Sequence, residues 1–143
     1  MEHTDLQNAK CLLETGSYTC VLCKGSITHT ATERGVKPLV RWLTENLDAK
    51  DFSAADRVVG RATAFLYLLL GAKEVYAHVM SRAAAEVLAQ GGIAHSCTTL
   101  VDNIINRQGT GICPFEEAVL QITDPQEALR AIREKMAKMN ITL

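Results

Sequence analysis

Apolar residues open the chain at helical spacing. Leu6, Ala9, Leu12 and Leu13 share one face of residues 4–15, and Gly16 then supplies a helix stop. The next segments, SYTCVLC and SITHTAT, are short, rich in β-branched residues and joined through Lys24-Gly25, which predicts a hairpin of two antiparallel strands. Helical spacing returns over 36–47 with Val36, Leu39, Val40, Leu43 and Leu47, and Pro38 falls in the first turn, where its missing N–H has no partner to lose. Ser53 and Asp56 then have the spacing of an N-cap and its N3 partner. This predicts a helix from Ser53 to about Leu70, apolar on nearly every side and so packed between the sheet and another layer.

Further on, the pattern changes to strict alternation. In residues 73–80, Val75, Ala77 and Val79 oppose Glu74, Tyr76 and His78, which reads as a strand. Ser81 caps the helical segment RAAAEVLAQ, Gly91-Gly92 ends it, and residues 93–97 form a second, weaker strand. A strand, a helix and a strand in succession require a right-handed crossover and a parallel pair. Helices are predicted at 100–106 (LVDNIIN), at 114–122 and from Asp124-Pro125 onward. Together these elements predict a single α/β domain over 1–143. Its architecture is three-layer α/β/α, with a mixed sheet of four or five strands, an antiparallel N-terminal hairpin and a ligand site at the carboxyl ends of the strands.

Composition narrows the function classes. An apolar content of 48% sustains a core, while 15 basic against 16 acidic residues, with no run of either sign, lack the electrostatic footprint of nucleic-acid binding. The longest apolar run, 62–72, falls short of the roughly 20 residues a membrane-spanning helix needs. Five cysteines, an odd number, without an apolar leader predict a reduced, cytoplasmic protein with no membrane partner.

The chemistry candidates are few. Cys20 and Cys23 are spaced C-x-x-C, but in a strand residues i and i+3 point to opposite faces, and no second ligand pair completes a zinc site. His3 is terminal and His29 lies in the hairpin, whereas His78 and His95 fall in adjacent strands as a candidate acid–base pair. In the stretch RQGTGICPFEEA, Cys113 takes the N-cap position and Pro114 follows at N1. Arg107, Gly109, Thr110 and Gly111 form a candidate phosphate loop, although Glu116 and Glu117 already occupy the positive end of that helix. The helix start at Ser81, with Arg82 and no acid in its first turn, is the better anion site, and Arg34 and Lys37 add positive charge after the hairpin. Trp42, Phe52 and Phe115 are candidates for a homo-oligomer contact.

The segments ERGVKPL, AADRVVGRA, KEVYAHVMS and NRQGTGICPFEEAV resemble an uncharacterised bacterial family, domain of unknown function eighteen-ninety-three, with a cytidine-deaminase-like fold. The resemblance runs from about residue 10 to 122 and implies that fold, with an inherited cleft for nucleotide-like ligands. Zinc deaminases place a His or Cys, then x-Glu, at one helix start and Pro-Cys-x-x-Cys at the next. Here the corresponding starts read Ser53-Ala-Ala-Asp56 and Met80-Ser81-Arg82-Ala83-Ala84, so no zinc, no other cofactor and no zinc-dependent deamination is expected. The leading expectation is a metal-free module binding a small phosphate- or nucleotide-like ligand, possibly resembling ADP-ribose, through Arg34, Lys37, Asp56, Ser81, Arg82 and the 107–111 loop. The alternatives are a metal-independent enzyme using Cys113 or Asp56, and a structural homo-oligomer subunit.

Overall fold

The computed structural model describes residues 4–106 and 108–143. Helix α1 (Asp5–Thr15) begins with a reciprocal cap: the Thr4 hydroxyl accepts the Gln7 N–H, and the Gln7 side chain takes the Thr4 N–H. Strands β1 (Cys20–Lys24) and β2 (Ile27–Ala31) pair antiparallel, and Gly25 takes the left-handed conformation that the turn between them requires. Helix α2 (Lys37–Thr44) leads to β3 (Ser53–Val59), α3 (Arg61–Leu70), β4 (Glu74–Ser81), α4 (Arg82–Gln90) and β5 (Ala94–Val101), and α5 (Pro114–Ala118) and α6 (Pro125–Lys138) close the order.

The result is a mixed α/β architecture around an open five-stranded sheet of order β2-β1-β3-β4-β5. Strand β1 runs antiparallel to both its neighbours, and β3, β4 and β5 are mutually parallel. Among the described residues one face is covered by α1 alone, through a small core of Ala9, Leu13, Val21, Cys23, Ala55 and Tyr76. The other face carries the larger core, to which α2 through α6 contribute Leu39, Phe65, Leu66, Leu88, Phe115 and Ile132. Cys20 and Cys23 go to these two separate cores, as strand parity requires.

Two predicted helices are replaced. Residues 53–59 form the central strand β3, and the helix begins only at Arg61, with Gly60 as its N-cap. Asp56 is therefore a strand residue, and Ser53, far from capping anything, is buried with its hydroxyl unpartnered among the described residues. In SAADRVV the polar residues Ser53, Asp56 and Arg57 do not alternate with apolar ones, so no strand period is visible and the cap-like spacing misleads. The predicted helix at 100–106 is also absent: β5 continues to Val101, and an isolated bridge pairs Ile105 with Ile112 across the following loop. Helix α5 is shorter than predicted, ending at Ala118. Trp42, Phe52 and Phe115, expected to be available for an oligomer contact, are all buried. Among the described residues no helix is long and apolar enough to cross a membrane.

Candidate functional site

The carboxyl end of β3 opens into a cleft. Its inner chamber, of about 330 Å³, is lined by Asp56, Val58 and the start of α3 together with Val36, Ile104 and Phe115. A larger outer chamber, of about 680 Å³, shares Arg34, Gly35, Val36, Cys113 and Phe115 with it and extends to Asn106, Gln108, Met139 and Ile141. The walls are apolar for most of their extent, the usual character of a small-molecule site.

Asp56 supplies the polar floor. Its Oδ2 accepts the Tyr67 hydroxyl at 2.7 Å, and the same hydroxyl lies 3.1 Å from Cys20 Sγ, in a ladder leading into the core. Burial pushes the Asp56 carboxyl up to about 6, against the opposing effect of the Tyr67 hydrogen bond, and burial also raises the Cys20 thiol and the Tyr67 phenol. Among the described residues no cation pairs with Asp56. A carboxyl group titrating near neutrality in a cleft makes Asp56 a candidate functional residue.

The start of α3 is occupied from within the chain. Glu116, on α5, accepts the Arg61 N–H on Oε1 at 2.7 Å and the Ala62 N–H on Oε2 at 2.8 Å, so a carboxylate fills the anion position that a helix N-terminus creates. Gly60 makes this possible, because a Cβ there would lie 2.5 Å from Glu116 Cδ. Arg61 completes the clasp by donating to the Val119 and Ile122 carbonyls. Sequence reasoning assigns Glu116 to the dipole of its own helix; the side chain serves a helix more than fifty residues earlier instead.

The other sequence candidates divide between the cleft and the periphery. Arg34 lines both chambers, and Lys37 lines the outer one while paired with Glu33, which also binds Arg41. Cys113 lines both chambers at the N-cap of α5, without a side-chain capping bond. Ser81 is buried, and its hydroxyl accepts the Ala84 N–H at 3.1 Å. Arg82 pairs with Asp102 at 2.8 Å, so the helix start expected to be bare is served by its own cap, and its arginine is engaged. Gly109, Thr110 and Gly111 form an exposed turn held by Asn106, whose Oδ1 accepts the Thr110 N–H at 3.0 Å. Arg107 lies outside the described residues.

The histidines do not meet. His95 pairs in register with Val75, three residues along β4 from His78, and His78 instead binds Glu14 of α1 at 2.5 Å. Among the described residues no three His, Cys, Asp or Glu side chains gather closely enough to hold a metal ion. Tyr67 is the residue that sequence reasoning passes over. Its signal was available, since a tyrosine inside a buried apolar run needs a partner for its hydroxyl.

A family model described as Domain of unknown function (DUF1893), TM1506, matches residues 8–136. No curated protein matches the chain. Among solved structures it is similar to the crystal structure of a DUF1893 family protein (TM1506) from Thermotoga maritima, at 26% identity and a TM-score of 0.84 over 94% of this chain and 92% of that one. With nearly its whole length inside the family model, the chain belongs to the DUF1893 family.

Proposed function

We propose that the chain is a ligand-binding module of cytidine-deaminase-like fold whose cleft takes a small phosphate-bearing or nucleotide-like molecule. The succession of a helix, two antiparallel strands and then alternating helices and strands supports the fold resemblance. One observation carries the ligand reading: the Asp56 carboxyl lies on the floor of an apolar chamber with no cation paired to it among the described residues, while Arg34 lines both that chamber and the outer one. A half-buried carboxyl facing a cleft gains most from a ligand that presents N–H or O–H donors, as a base amine or a ribose hydroxyl does.

Glu116 sets the direction in which such a ligand lies. With a carboxylate on the α3 amides, a phosphate at that helix start would meet like charge, so the anionic end points outward toward Arg34 and Lys37. The donor-bearing end then faces Asp56. Thermal shift with nucleosides, mononucleotides, ADP-ribose and NAD tests this. At least one of them raises the melting temperature of the unmodified protein and fails to raise that of D56N; stabilisation by none at millimolar concentration overturns the reading.

A second reading, a metal-independent enzyme on a nucleotide-like substrate, is favoured by the Asp56 carboxyl titrating at about 6, where it suits general acid–base work. Cys113 lines the same chamber as a candidate nucleophile. Product formation from a stabilising ligand, lost in D56N or C113S, separates an enzyme from a binding module.

A further inference from the structure

Strand β5 forms one edge of the sheet, and it carries none of the features by which edge strands are normally kept from pairing. It is eight residues long, AHSCTTLV, with no lysine, arginine, acid or proline, and its register with β4 holds one constant offset from Glu74↔Ala94 to Ser81↔Val101, so no bulge turns it away. Ala94, His95, Ser96, Thr98, Thr99 and Leu100 are exposed. Beyond the ladder to β4, no backbone hydrogen bond among the described residues involves Ala94–Val101, which leaves its outer row of N–H and C=O groups open. The opposite edge differs. Strand β2 has five residues, and its His29 lies beside the rings of Trp42 and Phe52.

We propose that β5 pairs antiparallel with β5 of a second copy, about a two-fold axis normal to the sheet that passes at Cys97 or at Thr98, to form one continuous ten-stranded sheet. A two-fold axis in that direction keeps each face of the sheet on its own side, so residues of equal parity oppose one another. Thr98 then faces Thr98 or Ser96 of the mate. No charged side chain of one strand meets its like, as none is present.

The crossover helix gives an independent reason why the occupant is a second copy. Helix α4 packs on both β4 and β5, so it and its mate lie two strand spacings apart, about 9.6 Å, and antiparallel. That is within the 8–10 Å at which helices pack. Its sequence, RAAAEVLAQ, leaves Arg82, Glu86, Ala89 and Gln90 exposed and Ala83 half-buried, so small residues permit close approach beside one basic and one acidic side chain. An extended peptide added to β5 would satisfy the strand but bring no helix to this flank. A second copy completes both layers together.

Sedimentation velocity and light scattering on the full chain at tens of micromolar test the proposal, with circular dichroism as the control for folding. The unmodified protein is expected to have twice the 15.6 kDa chain mass. T98K and T98E each place like charges across the axis and, while still folded, give the single-chain mass; an equimolar mixture of the two recovers the double mass. A single-chain mass for the unmodified protein overturns the proposal. So does a double mass retained by folded T98K, or a mixture that stays monomeric.

Discussion

Helices α3 and α4 begin side by side, at the carboxyl ends of the parallel strands β3 and β4, yet their first turns are satisfied in opposite ways. At α4 the cap is local: Ser81 turns its own hydroxyl onto the amide three residues ahead. At α3 the N-cap is a glycine with nothing to offer, and the acceptor is Glu116, brought from the far end of the β5–α5 connection. The difference decides where the cleft is. A helix capped by its own serine closes on itself, whereas one capped by a distant carboxylate holds the α5 segment across the sheet end, and Phe115 and Cys113 of that segment become walls of the chambers.

The largest effect comes from breaking the long-range cap. E116A removes two charge-assisted hydrogen bonds and is expected to lower stability by about 3 kcal/mol in urea unfolding. G60A, whose methyl would displace the same carboxylate, is expected to cost about as much alone but close to nothing in the E116A background, because Gly60 has extended backbone angles open to alanine. Additive losses would show that the two positions act separately.

Next comes Asp56, with the opposite sign. Its carboxyl titrates at about 6 in the folded protein, above its ordinary value, so between about pH 4 and 6 the folded state holds a proton that the unfolded state has released. Stability therefore falls as pH rises through that window and stays low above it. D56N abolishes this dependence and is expected to exceed the unmodified protein by about 2 kcal/mol at pH 8, with no gain at pH 4. Calorimetry at the two pH values checks it, and equal gains at both would remove Asp56 as the cause. The smallest effect belongs to the local cap. S81A is expected to cost about 1 kcal/mol and to leave the cleft's ligand response unchanged.

The same contrast explains what could be read from the residues alone. Helix α1 is announced by its apolar spacing and the Gly16 stop, and α4 and α6 by caps at their starts, Ser81, and Asp124 before Pro125, and each is found where local chemistry puts it. Strand β4 is legible because its alternation survives at Glu74, Tyr76 and His78. Strand β3 is not, because its polar residues break the alternation and Ser53-x-x-Asp56 imitates a helix start that Gly60 in fact marks. At the site, Asp56, Arg34 and Cys113 are reachable by residue type, and the structure brings all three to one chamber. The partnership of Asp56 with Tyr67 and of Glu116 with the α3 amides spans eleven and about fifty-five positions. Such pairings follow from the fold and not from spacing.

Gly60 and Glu116 occupy one volume, since a side chain at the first would stand where the carboxylate of the second now lies. Descent within the family should treat them as a unit. Where the acid is lost the glycine is released to vary, and where the glycine is replaced the acid has no seat, so the two columns of an alignment should change in concert while their immediate neighbours drift.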